Sequence, residues 1–537
     1  MGEWHTIPAL VRWSAARYAS QEAVVEGRTR ITYAELGARI ERAAAACLAS
    51  GVVPGDRVAV WAPNSLDWIV AALGAVSAGG ILVPLNTRFK GGEAVEVLRG
   101  SRARLLFVTG PFLGTSYVAA LRRAAGSGTG TGPLPGVPSL REVVVLSGEA
   151  PPEFRTWRQF LAAGEGIGSA EVASRSASLS GDSVSDIVFT SGTTGRPKGA
   201  VITHGQTLRA YETWADLAGL RSADRYLIIN PFFHTFGYKA GVLACLMRGA
   251  TMIPQPVFDV DTTLAHMTAE RVSVLPGPPT LHQTLLDHPA RAAHDLSALR
   301  LVVTGAAMIP LRLVERLRTE LGVGTVLTAY GLSEATGMVT MCRRGDEPSV
   351  IAATSGRAIP GVEVRVVSPA GAAVPAGSPG EIWVRGFNVM RGYDADGPAT
   401  AEAITPEGWL RTGDIGVLDE GGNLRVTDRL KDMFTVGGFN AYPAEIERLL
   451  STHPEVADAA VVGIPHPRLG EVPKAYVVRH PTSHLTATAL ITWSRRTMAN
   501  YKVPREIEFL PELPRNASGK VVKGVLRGRA PDDGSGR

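Results

Sequence analysis

The stretch from Ile187 to Gly205 reads IVFTSGTTGRPKGAVITHG, and it constrains the fold more than any other part of the chain. Its short apolar runs, Ile187–Phe189 and Ala200–Ile202, predict two buried strands. Between them, residues 190–199 are small, polar or basic apart from one proline. The sequence therefore predicts a strand, a polar loop and a second strand.

The composition of this loop suits a polyphosphate ligand. Glycines let the backbone approach a ligand closely, successive backbone N–H groups form an anion-binding nest, and lysine adds a point charge. The loop is not a Walker A motif, because Gly199 follows Lys198 where that motif requires Ser or Thr at the start of a helix. A flexible Ser/Gly turn is the alternative interpretation. The predicted phosphate ligands are Thr190, Ser191, Gly192, Thr193, Thr194, Gly195 and Lys198.

The rest of the chain indicates a large globular protein. At 537 residues it exceeds what one compact core holds, so two or more domains are expected. Strand-like and helical segments alternate from Arg57 to Leu85, which predicts a βαβ unit and a parallel sheet. A net charge of +5 without a run of basic residues gives nucleic-acid binding no support. The most apolar window, Ile69 to Leu85, contains Gly and Ser and is not a membrane span.

Other candidate residues follow predicted strands, where α/β sheets place their ligands. The segment PFFHTFG (231–237) follows a strand and carries aromatic rings around a histidine. A buried aromatic corner is the alternative to a pocket there. Gly277 follows the next strand but one, and its missing side chain leaves room for a substrate. The predicted pocket residues are Phe233, His234, Phe236, Gly237 and Gly277.

Two later segments offer groups for a base, a cation and a sugar. In the segment YGLSE, Tyr330 can stack on a base, and Ser333 and Glu334 offer oxygens to Mg²⁺. In isolation the first turn of a helix would be the better explanation of Glu334. Asp414, next to glycine in TGDIG, is suited to accept hydrogen bonds from ribose hydroxyls, although an Asx turn would use it too.

In this order, these segments resemble the signature motifs of the adenylate-forming enzymes, which include acyl-CoA synthetases, and the resemblance covers nearly the whole chain. It implies an adenine site at the turn Gly305, Ala306, Ala307 and at Tyr330 and Gly331. It implies Mg²⁺ at Glu334 and Ser333, ribose at Asp414, and ribose or phosphate at Arg429. It also implies a place for His234 between the acyl pocket and the phosphates. It makes Lys431 a hinge, Gly437 and Gly438 a turn at the thioester site, and Lys520, in PRNASGK, the lysine of the adenylation step.

The expected fold class is α/β. A large N-terminal domain, residues 1–430, holds two βαβ-type sheets and a small β-barrel-like subdomain. A small mobile α+β domain follows at residues 432–529, with a disordered tail at 530–537. We expect residues 147–180 to be poorly ordered, and Asp428, in place of the commoner glycine, to be a harmless variation.

The implied reaction joins a carboxylic acid to CoA in two steps. The carboxylate attacks the α-phosphate of ATP, pyrophosphate leaves, and the CoA thiol then attacks the acyl-adenylate. Segments such as NPFFHTFGYKAGVLACL resemble most the actinobacterial ligases that activate the indane-dione propionate left by steroid ring degradation. A fatty acid stays open as the substrate, and a carrier protein stays open as the acceptor. Lys239 either meets a keto oxygen in the pocket or is solvated.

Cysteine usage indicates the cellular setting. Cys47, Cys245 and Cys342 are far apart and form no CxxC pair, which disfavours disulfides and a zinc site. We therefore expect a cytoplasmic protein. The resemblance implies an enzyme with small-molecule partners (an acid, ATP and CoA), and we expect no nucleic-acid partner and no integral membrane segment. A homodimer is compatible with the sequence.

Overall fold

The computed structural model describes residues 4–126, 134–190, 197–305, 309–429, 432–436, 439–466, 469–498, 500–515 and 520–529. Within these ranges the strands form two large sheets, a separate four-stranded sheet and a C-terminal five-stranded sheet. The predicted α/β class, with a large N-terminal part and a small α+β C-terminal part, is confirmed.

The larger sheet brings several predicted site residues to one edge. The strands Val274–Gly277, Leu301–Gly305 and Thr325–Tyr330 pair in parallel. Because the carboxyl ends of parallel strands meet at one edge, the ends of these three strands lie side by side. In spatial order, the nine strands formed by the described residues are Arg357–Ala358, Thr340–Met341, Thr325–Tyr330, Leu301–Gly305, Val274–Gly277, Arg225–Ile228, Thr251–Pro254, Glu22–Glu26 and Thr29–Thr32.

The second large sheet contains the two strands predicted on either side of the phosphate loop. Its central strands, Arg57–Trp61, Ile81–Pro84 and Leu105–Val108, pair in parallel, as the βαβ pattern predicted. The hairpin that frames the phosphate loop forms its edge. The seven strands seen over the described ranges are Lys198–Thr203, Val184–Thr190, Ile81–Pro84, Arg57–Trp61, Leu105–Val108, Glu142–Val145 and Arg155–Thr156.

The two smaller sheets belong to different parts of the chain. The predicted β subdomain is an antiparallel sheet of the strands Val362–Val367, Gly380–Gly386, Leu410–Leu418 and Leu424–Arg429. The C-terminal sheet consists of Phe434–Val436, Phe439–Ala441, Val456–His466, Gly470–Arg479 and Glu506–Phe509. The C-terminal strands pack around their own buried cluster, which contains only residues between Phe434 and Leu526. A short hairpin, Pro111–Phe112 with Thr115–Ser116, lies apart from these sheets.

Helices cover the two large sheets and pack closely on each other. A Cβ added at Gly74 would lie 2.5 Å from the Cβ of Ala43, so the two helices meet where no side chain intervenes. No helix in the described ranges combines the length and apolar character needed to cross a bilayer. The α-helices are Ile7–Arg17, Tyr33–Ala49, Leu66–Ser77, Gly91–Ser101, Tyr117–Ala125, Trp157–Ala163, Ser169–Ala177, His204–Ala218, Thr235–Gly237, Ala244–Arg248, Val260–Ala269, Pro279–Asp287, Leu311–Glu320, Pro348–Ala353, Gly397–Ala403, Pro443–Leu450, Ala487–Thr497 and Lys523–Arg527. Short 3₁₀ turns occupy Pro289–Ala293, Ser333–Ala335 and Asn500–Lys502, and a π-helix occupies Tyr238–Leu243.

The expectation that residues 147–180 are poorly ordered is wrong. The helices Trp157–Ala163 and Ser169–Ala177 lie there, and Phe160 is fully buried. Ser176 donates a hydrogen bond to the carbonyl of Ser77 at 2.8 Å, and Arg175 donates to the carbonyl of Val52 at 2.9 Å. These contacts fasten a segment of low sequence periodicity to the helices of the large domain.

Both interpretations of Lys239 are also wrong, because its side chain is fully buried in an ion pair. Lys239 Nζ lies 2.7 Å from Asp186 Oδ2 and donates a hydrogen bond to Thr207 at 3.0 Å. Ser185 donates to the other carboxylate oxygen of Asp186 at 2.6 Å. Burial lowers the pKa of Lys239, and the charge of Asp186 opposes that shift. The pair joins the strand before the phosphate loop to the π-helix after the PFFHTFG segment.

We predict that Lys239→Met destabilises the large domain by about 3–5 kcal/mol, because it leaves the Asp186 carboxylate buried without its counter-ion. The double variant Asp186→Leu/Lys239→Met should recover most of that loss, since both charges are removed together. Urea unfolding followed by tryptophan fluorescence measures the effect, with Lys90→Met as an exposed-lysine control. A Lys239→Met variant as stable as the control would contradict this account.

Candidate active site

Two antiparallel strands hold the ends of the predicted phosphate loop. Their register pairs Thr190 with Lys198, so both residues stand at the mouth of the loop. The predicted ligands between them, Ser191, Gly192, Thr193, Thr194 and Gly195, lie outside the described residues. The two strands on either side of them are present as expected from the sequence.

Glu334 is brought to this loop from a turn 144 residues away. Thr190 Oγ1 donates a hydrogen bond to Glu334 Oε1 at 3.1 Å. The backbone N–H of Met390 donates to the Glu334 carbonyl at 2.8 Å, which fixes the turn itself. The structure thus places the predicted cation ligand directly beside the predicted phosphate ligand.

Tyr393 also contacts Glu334, and the sequence analysis missed it. Its hydroxyl donates to Glu334 Oε1 at 3.1 Å, and its ring centroid lies 5.3 Å from Lys198 Nζ. The residues flanking Tyr393 extend the hairpin, since Asp394 N–H donates to the Gly199 carbonyl at 2.7 Å. No local pattern marks this tyrosine, because its position depends on long-range strand pairing. Tyr393 therefore contacts both the predicted cation ligand Glu334 and the predicted phosphate ligand Lys198.

The predicted base and ribose residues meet each other. Tyr330 hydroxyl donates to Asp414 Oδ2 at 2.6 Å, across 84 residues of sequence. Asp414 is buried, and its neighbour across the antiparallel strands is Arg429. The edge of the larger sheet and the β subdomain therefore meet at the predicted nucleoside position.

His234 is the central residue of the PFFHTFG segment, which follows the strand Arg225–Ile228. Its Nδ1 accepts a hydrogen bond from the Phe236 N–H at 3.2 Å, which fixes the ring. Crowding by protein atoms and the positive charge of Lys520 lower the pKa of His234 to about 4. The residue keeps an exposed surface, but the lysine charge acts in the same direction, so the imidazole is neutral near pH 7.

The predicted pocket residues near His234 differ in what they face. Phe233 is buried, and Phe236 is partly buried against the main core. A Cβ at Gly237 would lie 2.2 Å from the Pro231 carbonyl oxygen, so the turn requires glycine. A Cβ at Gly277 would lie 3.0 Å from the Cδ1 atom of Leu281, whose side chain is buried.

Asn64 holds the same turn in place and was missed by the sequence analysis. Its Oδ1 accepts from the Phe232 N–H at 2.7 Å, and its amide nitrogen donates to the carbonyls of Ile228 and Asn230. A buried asparagine that satisfies the end of a distant strand leaves no periodic signal in sequence.

The turn that carries Glu334 is also tightly constrained. Ser333 starts a 3₁₀ turn, and Thr336 adopts a left-handed φ of 58°. Tyr211 donates to the Thr336 carbonyl at 3.0 Å, and Thr336 Oγ1 donates to the Asn388 carbonyl at 2.7 Å. Such strained conformations persist only where the surroundings fix them, often at functional sites. A Cβ at Gly331 would lie 2.1 Å from the Gly337 carbonyl oxygen, so this position too requires glycine.

Lys520 reaches this site from the C-terminal part of the chain. It is exposed, yet its charge acts on His234. Gly305 ends its strand beside Ala329 in the larger sheet. The other predicted residues, Ala306, Ala307, Lys431, Gly437 and Gly438, lie outside the described residues.

Comparison with known protein families identifies the class. The profile of the AMP-binding enzymes matches residues 11–394, and that of the AMP-binding enzyme C-terminal domain matches residues 445–520. The chain belongs to the AMP-binding enzyme family. The prediction of an adenylate-forming acyl-CoA synthetase is confirmed.

Individual CoA ligases and synthases are similar to this chain over nearly its full length. The chain is 48% identical over 527 residues to a Mycobacterium tuberculosis ligase named for joining CoA to a 7a-methyl-1,5-dioxo-octahydro-indenyl propanoyl group, covering 98% of this chain and 99% of the relative. It is 47% identical to the ligase of that name from Rhodococcus jostii, covering 97% and 98%. A feruloyl-CoA synthase from Amycolatopsis is 37% identical, covering 94% and 95%.

Solved structures agree with the fold. An anthranilate CoA ligase in complex with anthranoyl-AMP superposes with a TM-score of 0.84 at 25% identity, covering 98% of both chains. ATP-bound MatB from Rhodopseudomonas palustris gives a TM-score of 0.81 at 30% identity, covering 97% of this chain and 98% of that one.

We predict that Tyr393→Phe lowers kcat/KM for MgATP about 5-fold, because Glu334 loses one of its two hydroxyl donors, an interaction worth about 1 kcal/mol. Tyr393→Leu should lose more, since the ring beside Lys198 is removed as well. Steady-state kinetics with varied MgATP measures both effects. Tyr18→Phe, which removes a phenol hydrogen bond on another face, is the control. Wild-type kinetics for Tyr393→Phe would contradict the role given to its hydroxyl.

Proposed function

We propose that this enzyme joins a steroid-derived bicyclic propionate to CoA, using ATP and releasing AMP and pyrophosphate. The observation that carries the proposal is the meeting of Thr190, Glu334 and the charge of Lys520 around one site, in a chain nearly half identical to ligases named for such an acid.

The nucleotide would lie between the β subdomain and the strand ends of the two large sheets that carry the predicted nucleotide ligands. The loop after Thr190, together with Lys198, is suited to the phosphates, and Asp414 to the ribose hydroxyls. Tyr330 is suited to stack on the base, next to the turn that begins at Gly305. The hydrogen bond between Tyr330 and Asp414 supports this arrangement. It places the residue suited to the base next to the residue suited to the ribose, as the base and the ribose of one nucleoside require.

The residues present fit Mg²⁺, with Glu334 as the protein carboxylate and Ser333 beside it. Mg²⁺ is commonly held by one or two carboxylates together with substrate phosphates, so a single glutamate is sufficient. Two hydroxyl donors on Glu334 Oε1 orient the carboxylate toward the loop. When bound, the ion would supply positive charge that offsets the negative charge of the phosphates.

In the first step two anions, the acid and ATP, must meet. Lys520 and Lys198 contribute positive charge where negative charge develops, and the hairpin holds Thr190 and Lys198 where they can orient the phosphates for attack. His234 is neutral, so it borders the reacting carboxylate without trapping it as an ion pair. The products of this step are acyl-AMP and pyrophosphate.

In the second step the CoA thiol attacks the acyl carbonyl, and AMP leaves. The same carbonyl must then be open to a long pantetheine chain, so Lys520 has to withdraw. We assign the hinge to Lys431 and the replacement turn to Gly437 and Gly438, on the family resemblance.

All three thiols of the chain are free and buried, which suits a reducing cytoplasm.

The acid pocket would be bordered by Phe233, Phe236, Gly237 and Gly277. A flat bicyclic acid suits such a pocket because buried aromatic rings and small residues provide apolar, planar surfaces. Lys239 does not contribute, since its ammonium group is committed to Asp186.

We expect the bicyclic propionate to give the highest kcat/KM among acids tested with ATP, Mg²⁺ and CoA, at least 10-fold above straight-chain acids. The measurement is pyrophosphate release across C6–C18 fatty acids, benzoates and the bicyclic acid, with and without CoA. Preference for straight chains would make the enzyme a fatty acyl-CoA synthetase. Pyrophosphate release that CoA does not stimulate would indicate transfer to a carrier protein instead.

A further inference from the structure

Asp428 forms a contact that its position in sequence does not suggest. It lies in the last strand of the β subdomain, opposite Ile415, and its side chain is buried. Its Oδ2 accepts a hydrogen bond from the backbone N–H of Ala444 at 2.7 Å. Ala444 is the second residue of the helix Pro443–Leu450. The expectation that Asp428 is a harmless variation did not include this contact, which a glycine there would lose.

The helix that Asp428 contacts lacks a side-chain cap of its own. Its N-cap residue, Tyr442, makes no capping hydrogen bond, and Pro443 has no N–H. Ala444 therefore carries the first donor of the helix that needs a partner. A carboxylate at this end also interacts favourably with the helix dipole. Asp428 thus supplies, from 16 residues upstream, the cap that the helix would otherwise take from its own N-cap.

This hydrogen bond connects two parts of the chain that have separate cores. Asp428 is fixed by pairing within the four-stranded sheet. The helix Pro443–Leu450 instead buries Ile446 and Leu450 in the C-terminal cluster. The residue expected to act as the hinge, Lys431, lies between the two partners in sequence. A rotation about that hinge would separate Asp428 from Ala444.

The structure that contains this contact also has Lys520 near His234. Lys520 belongs to the C-terminal part, and its charge acts on His234 in the structure that contains the Asp428 contact. Ion pairs such as that between Lys523 and Glu447, 2.9 Å apart, hold the C-terminal part together. Its orientation and the position of Lys520 therefore change together.

We propose that Asp428 is a positioning residue for the adenylation step: by capping the helix Pro443–Leu450 across the hinge, it holds the C-terminal part in the orientation that brings Lys520 to the acid and ATP. The inference rests on the proposed two-step reaction. The contact must break before CoA attacks, so Asp428 favours the first step at the expense of the second.

A purely structural role makes a different prediction. If Asp428 only stabilised the fold, its loss would impair both steps to the same degree. If it selects one orientation, its loss should slow adenylation and leave the thiol step unchanged or faster. Removing an Asp cap typically shifts an equilibrium about 3- to 30-fold, which sets the size of the expected effect.

The experiment measures the two half-reactions separately. Acyl-AMP formation is followed in single turnover without CoA, and acyl-CoA formation is followed from supplied acyl-AMP and CoA. We expect Asp428→Ala to slow the first about 10-fold and not the second. Asp428→Asn, which keeps an acceptor oxygen but no charge, should lie between Asp428→Ala and the wild type.

The control is Asp259→Ala, which removes the cap of the helix Val260–Ala269 within the large domain. It should leave the ratio of the two half-reactions at the wild-type value. An equal loss in both half-reactions for Asp428→Ala, or no loss in either, would overturn the proposal. A wild-type enzyme that forms no acyl-AMP would instead overturn the proposed function.

Discussion

The buried ion pair between Asp186 and Lys239 is the contact on which the site depends. Two charges without solvent require each other, so the strand before the phosphate loop and the π-helix after the PFFHTFG segment have one relative position. His204 lies beside the pair, and burial together with the Lys239 charge lowers the pKa of His204 to about 4. Its neutral ring accepts a hydrogen bond from the Ile7 N–H at 3.2 Å, which ties the N-terminal helix to the same cluster. The predicted phosphate-binding and acid-binding segments are thus held in place by the same buried ion pair.

Single polar contacts between residues far apart in sequence connect the remaining predicted site residues to these segments. Glu334 joins the phosphate hairpin through Thr190 and Tyr393, and Tyr330 joins the β subdomain through Asp414. None of these contacts is strong alone, but the strained turn after Glu334 shows that the surroundings determine its shape. A site of this kind is preorganised for charge, which is what the meeting of a carboxylate with ATP requires.

Much of this could be predicted from the sequence, and the failures share a cause. The hairpin around the phosphate loop and the parallel strands have strong local signals, so their predictions lie close to the structure. Lys239, Tyr393, Asn64 and Asp428 carry none. Each acquires its role from a partner at least 16 residues away, and hydrophobic periodicity contains no information about such pairings. The ordered structure of residues 147–180 was not predicted for the same reason, since tertiary contacts rather than a local sequence pattern hold these residues in place.

The central claim is that this preorganised site, with Lys520 in place, forms an acyl-adenylate before CoA takes part. The most direct test is exchange of labelled pyrophosphate into ATP in the presence of acid and Mg²⁺ and the absence of CoA. The account predicts acid-dependent exchange in the wild type and its loss in Lys520→Ala. Exchange that requires CoA, or that persists in Lys520→Ala, would contradict it.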